Sequence, residues 1–111
     1  LAAPLGESMR RASETTLTTL KIANIPRRCG KEELLEAIKA AGFADAYDFF
    51  YLPLGPQSKK NHGYAFINFG DNATTERFAR AFSGYPLRAK VLDVTPAPLQ
   101  GLARNLENFA T

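Results

Sequence analysis

Residues 62–69 read HGYAFINF. In an extended chain successive side chains point to opposite faces, so Ala65, Ile67 and Phe69 share one face and Tyr64, Phe66 and Asn68 share the other. The first set is uniformly apolar and is the natural core. The second carries two rings that a core on the first side cannot cover. A chain built around this strand needs a sheet with one packed face and one face left for another occupant.

The rest of the chain supplies that sheet. Residues 18–25 read as a strand with Leu20 and Ile22 inward, Lys21 and Ala23 outward, ended by Pro26, which cannot donate to a ladder. From Lys31 the period becomes helical. Glu32 and Glu33 suit the positive end, Leu34, Leu35, Ile38 and Ala41 form the stripe, and Gly42 closes the helix. A second strand over residues 47–52 stops at Pro53, and residues 55–61 form a loop with a basic tip at Lys59 and Lys60. After the third strand, Asp71 or Asn72 caps a helix with Phe78, Ala81 and Phe82 inward, stopped by Ser83 and Gly84. Residues 90–95 make the fourth strand, cut off by Pro96 and Pro98. Leu99, Leu102, Ala103, Leu106 and Phe109 then recur at helical spacing.

Strand, helix, strand, strand, helix, strand is the order of a ferredoxin-like α+β fold. The expectation is βαββαβ with a four-stranded antiparallel sheet, two helices on one face and a C-terminal amphipathic helix. Right-handed crossovers put the first two helices on the same side. Phe50 and Leu52 then face inward, and Phe49 and Tyr51 join Tyr64 and Phe66 on the open face. Four rings there make an apolar patch that soluble domains seldom keep without a partner. Rings with lysines around them suit single-stranded nucleic acid, which offers a π-face per base and a charged backbone. The competing reading is a protein-interaction domain whose open face is covered by its own C-terminal helix or by a partner protein. That helix is also a plausible docking element for protein partners.

Composition removes several classes. With 111 residues the chain holds one core, and its apolar runs fall far short of the ~20 residues of a membrane span, so no membrane partner is expected. A lone Cys29 forms no intrachain disulfide, and with His62 it gives two zinc ligands where a structural site takes four. No cofactor is implied. No second His or Cys pairs as nucleophile and base, no Gly-rich phosphate loop joins a strand to a helix, and no carboxylate pair lies on the aromatic face, so an enzyme is not expected. The net charge of +3 permits an acidic partner. Reduced cysteine points to nucleus or cytoplasm.

The stretch HGYAFINF resembles the longer ribonucleoprotein motif of RNA recognition motif (RRM) domains, with His62 at the basic position and Ile67 for Val. Residues 20–25, LKIANI, resemble the shorter motif with Lys21 in place of its aromatic. YDFFYLP at 47–53, Asn61, GYAFINF at 63–69, Arg77-Phe78, Ala81-Phe82 and Gln100-Gly101 narrow the likeness to the C-terminal RRM of the Mei-two-like proteins, RNA-binding regulators of meiosis and development. The resemblance runs from about Thr15 to Phe109, and that family shares the missing aromatic at Lys21. It implies that Tyr64 and Phe66 stack bases and that Asn24, Phe49 and Tyr51 complete the platform. Pro96 and Pro98 depart from the family pattern of an aromatic followed by a basic residue. Family members usually carry further RRMs upstream, which fits a fragment beginning at Leu1.

The sequence therefore predicts a flexible arm over residues 1–16, an RRM over 17–97 and a helical extension over 98–111. Its expected ligand is single-stranded RNA. The rings stack bases, Asn24 and Asn68 offer hydrogen bonds, Lys21, Lys59 and Lys60 hold phosphate, and His62 is a further candidate contact. In the arm, Arg10-Arg11-Ala12-Ser13 has the pattern of a basophilic kinase site, where phosphate would subtract charge near the RNA.

Overall fold

A computed structural model describes residues 17–55 and 60–109. Its elements are β1 (Thr19–Ala23), α1 (Lys31–Ala40), β2 (Tyr47–Tyr51), β3 (Tyr64–Phe69), α2 (Asn72–Phe82), β4 (Pro86–Leu87), β5 (Lys90–Val91), β6 (Asp93–Pro96) and α3 (Leu102–Phe109). The main sheet is antiparallel with strand order β2-β3-β1-β6, as a ferredoxin-like α+β fold requires. Leu20, Ile22, Ala65, Ile67 and Phe69 of the two central strands meet Leu34 and Ile38 of α1 and Phe78 and Phe82 of α2 in one buried cluster. Rings run through it: Phe78 lies 5.1 Å from Phe43, 5.0 Å from Phe69 and 4.8 Å from Phe82. Burial of this kind is worth ~1.5–3 kcal/mol for each large apolar side chain.

Both helix boundaries have local causes. Helix α1 ends in paired bonds from Gly42 N–H to the Lys39 carbonyl and from Phe43 N–H to the Ile38 carbonyl. This arrangement needs a left-handed residue after the cap, and Gly42 sits at φ 98°. Asp71, not Asn72, caps α2, its carboxylate accepting from Thr74 N–H at 2.7 Å. Those bonds hold the Asp71 carboxyl below its ordinary value. The inner face of α2 is Thr75, Phe78 and Phe82, whereas Ala81, expected inward, is exposed.

Three differences from the expected strands matter for the site. Strand β1 stops at Ala23 rather than running to Pro26, because Asn24 takes a left-handed φ of 63° and donates its side-chain amide to the Val91 carbonyl. The fourth sheet strand is Asp93–Pro96. Lys90 and Val91 belong instead to a separate hairpin with Pro86 and Leu87, turned at Arg88 with φ 55°. A bidentate pair at 2.9 and 2.6 Å ties that turn to Glu33 of α1. In β2 the register slips between Tyr47 and Phe49. The bulge lets Tyr47 pack with Phe50 on the helix side, 6.2 Å apart, while Phe49 and Tyr51 reach the other face.

Asn61, placed by the sequence at the end of the loop and among the marks of the family likeness, is fully buried and acts as a clasp. Its amide donates to the Pro26 and Cys29 carbonyls at 2.8 Å each, and its side-chain oxygen accepts from Gly63 N–H at 2.6 Å. One side chain thus joins the β1–α1 turn to the start of β3. Asn61→Ala strips the Cys29 carbonyl and the Gly63 N–H of this partner, while the Pro26 carbonyl keeps the Cys29 N–H at 2.9 Å, and should lower the unfolding free energy by about 2–4 kcal/mol in urea titration.

Candidate functional site

The register sets the face opposite α1 and α2 as three cross-strand rows. One row is Phe49, Asn68, Thr19; the next is Tyr51, Phe66, Lys21, Thr95; the third is Tyr64, Ala23, Asp93. All four expected rings are therefore on one face. Tyr64 meets Phe66 edge-on at 5.5 Å and His62 at 6.2 Å, and Lys21 Nζ lies 5.1 Å from the Tyr64 ring centroid. Missing its aromatic in the first strand, this face carries a cation against a ring instead.

Helix α3 lies across the other part of the face. Phe109 stacks on Tyr51 at 4.7 Å and on Phe66 at 5.3 Å, with interplanar angles of 26° and 20°, and sits 6.2 Å from Phe49. The expected helix stripe is corrected in part: Leu106 is 45% exposed and Ala103 is exposed, while Asn105, fully buried, shares the inner face with Phe109 one turn on. A polar residue can sit there because the row beneath it is polar too.

That row is a chain of hydrogen bonds. Asn68 donates to Asp48 Oδ1 at 2.7 Å and accepts from Thr19 Oγ1 at 2.6 Å. Thr19 Oγ1 in turn accepts from Gly101 N–H at 2.9 Å and from Asn105 Nδ2 at 3.3 Å. The Asn105 amide also donates to the Leu99 and Gly101 carbonyls, which fixes which end is nitrogen. Its oxygen is buried without a partner among the described residues, a cost of ~1–3 kcal/mol. Beside it Gln100 accepts from Thr18 and Thr19 N–H and donates to the Thr19 and Ala97 carbonyls, all within 3.0 Å. Gly101, at φ 98°, makes the turn that brings both residues onto β1.

The placement of the expected contacts is therefore uneven. Tyr64, Phe66 and Lys21 are half-buried neighbours on the face, and His62 is exposed at its rim. Phe49, Tyr51 and Phe66 are on the face but under Phe109. Asn68 is not an outward donor, as expected, but 2% exposed beneath α3, with its bonds made inside the protein. Asn24 has its amide nitrogen engaged by Val91. Lys60 is exposed, and its carbonyl closes the loop by accepting from Gly55 N–H; Lys59 and Ser13 lie outside the described residues. Sequence reasoning missed Thr19 and Asn105, and gave Gln100 and Gly101 no task. The available signal was Asn105 four residues before Phe109, the spacing of one helix face.

A family model described as RNA recognition motif 2 matches residues 17–110. The chain belongs to that family. Among curated relatives of this RRM, "Protein MEI2-like 5" of Oryza sativa subsp. japonica is 38% identical over 102 residues, 88% of this chain and 12% of that protein. "Meiosis protein mei2" of Schizosaccharomyces pombe is 35% identical over 98 residues, 85% of this chain and 13% of that protein. The chain thus spans about an eighth of the length of these relatives, and the RRM is of the Mei2-like kind. Among solved structures, the Rna15 RRM with bound RNA (GU) superposes with a TM-score of 0.67 at 22% identity, covering 84% of this chain and 97% of that one. An Sxl-lethal protein/RNA complex gives 0.65 at 23%, covering 78% and 50%. These likenesses establish the fold.

The Thr19 hydroxyl carries the join between RRM sheet and extension. Thr19→Val strips the acceptor from Gly101 and Asn105 and the donor from Asn68. It should lower stability by about 2–3 kcal/mol in urea titration and reduce the helical signal at 222 nm as α3 detaches.

Proposed function

We propose that this RRM is a single-stranded RNA-binding module that stacks bases on the β3 face, beginning at Tyr64. The observation that carries the reading is the contiguous group of Tyr64, Phe66 and Lys21, two rings with a cation at 5.1 Å on one sheet face. A base stacked on such a ring contributes ~1–3 kcal/mol, and a lysine beside it answers the phosphate that follows. His62 and Lys60 border the same end of β3 and extend the contact toward the loop. The RNA-bound structures whose fold it shares, and relatives named for meiosis, support the same reading. Its place of action is the nucleus or cytoplasm, in RNA-dependent control of meiosis or development.

On this reading the module acts by binding. Cys29 is buried, and burial, with the nearby Glu33 charge, pushes its thiol above the ordinary value, so it stays protonated at neutral pH. His62 sits edge-on to the Tyr64 ring at 6.2 Å, just before β3. Among the described residues no cluster of His, Cys, Asp or Glu could hold a metal, and no helix is long and apolar enough to cross a membrane.

The test is titration of a random-sequence single-stranded RNA pool into the wild type and Tyr64→Ala, with circular dichroism to show that both fold. Tyr64→Ala should lose ~1–3 kcal/mol of binding. The log of the wild-type constant should fall with log salt at about −0.7 per phosphate contacted, hence a total slope near −1 to −2. Equal binding by the two folded proteins would remove Tyr64 from the interface and the reading with it.

A further inference from the structure

Two chemically different contacts hold α3 to the sheet. Near its start, Gln100 makes four hydrogen bonds to residues 18, 19 and 97, and Gly101 and Asn105 reach the Thr19 hydroxyl. These are directional, and Asn105 and Thr19 are fully buried. At the far end the fastening is one ring. Leu106, Glu107 and Asn108 are exposed, and Phe109 alone of the last turn lies against the sheet.

That ring stands 4.7 and 5.3 Å from Tyr51 and Phe66 and within 26° of parallel to both. A flat π-system at this distance over an exposed aromatic is what a stacked base would be. We propose that Phe109 is an internal competitor for the stacking position on Phe66 and Tyr51. RNA takes that position by unwinding residues 106–109, while the anchor at Gln100, Gly101 and Asn105 stays in place. The inference rests on the RNA-binding reading above.

The energetics favour release of the tip over release of the helix. Opening the last turn exchanges one aromatic stack for another and breaks few backbone bonds, in a helix of eight residues that is marginal without its contacts. Lifting the anchor would leave the Thr18 and Thr19 N–H groups without the Gln100 oxygen and would leave the Thr19 hydroxyl with Asn68 alone. In the closed form an arriving strand finds Tyr64 and Lys21. With the turn released, Phe66 and Tyr51 continue the platform in the adjacent row, and the apparent affinity is the open-form affinity scaled by the open fraction.

The experiment titrates a random-sequence ten-nucleotide single-stranded RNA pool into wild type, Phe109→Ala, Phe66→Ala and the double variant, and follows amide hydrogen exchange with and without RNA. Phe109→Ala should bind about five- to tenfold tighter, and the gain should vanish when Phe66 is also replaced. RNA should speed exchange at residues 106–109 of the wild type and leave the Thr18 and Thr19 amides protected. Phe109→Ala binding as wild type does, or more weakly, overturns the proposal while the RNA reading stands. Loss of Thr18 and Thr19 protection on binding also overturns it, since the whole extension would then be leaving. If neither the wild type nor Phe109→Ala binds the pool, the RNA reading fails and takes this inference with it.

Discussion

Strand β3 is paired along both edges, with β2 on one side and β1 on the other. A slip of one residue would turn Ala65, Ile67 and Phe69 out of the core and bring Tyr64, Phe66 and Asn68 into it. Three apolar side chains at under 2% exposure hold the register against that slip. Everything on the other face inherits its position from them. Tyr64 and Phe66 are presented rigidly because their neighbours in sequence are locked, and Lys21 meets Tyr64 because β1 pairs with β3 in this register. The bulge in β2 adds Phe49 and Tyr51 without removing Tyr47 and Phe50 from the helix side.

The C-terminal extension exists as a helix because of that face. Eight residues are too few to hold a helix in water unaided, so its order depends on tertiary contact. The contact is unusual in being polar at one end and aromatic at the other. Thr19, Asn68, Asp48 and Asn105 form a bonded row that no apolar residue could replace without stranding a neighbour. Phe109 has no such demand. Its stack is non-directional compared with a hydrogen bond and can be replaced by any ring of similar size, a base included. The extension therefore leaves Tyr64 and Lys21 reachable as the structure stands and makes the use of Phe66 and Tyr51 depend on Phe109.

Much of the fold was legible in the sequence. The order of strands and helices follows from periods of two and 3.6 punctuated by Gly42, Pro53 and Gly84, and the four rings follow from parity along β2 and β3. Where local signals competed, the reading slipped. Lys90 and Val91 looked continuous with Asp93–Pro96, but the turn at Arg88 pairs them with Pro86 and Leu87. Asn24 ended β1 before Pro26 could, since Asn tolerates the left-handed conformation and its amide found the Val91 carbonyl. Asn61 read as a loop residue because a polar side chain carries no periodic signal; its burial comes from carbonyls brought to it by β1 and α1.

The sequence by itself determined which side chains share a face, because alternation along a strand and spacing along a helix are properties of the local backbone. It thereby set the ferredoxin-like topology, the aromatic face and the residues that mark the RRM. Tertiary structure alone decided what lies on that face. Whether Asn68 points at solvent or at Thr19, and whether Phe66 meets water or Phe109, depends on where residues 98–109 cross the sheet. That crossing is fixed by hydrogen bonds between positions more than 80 residues apart, a separation over which no local pattern carries information.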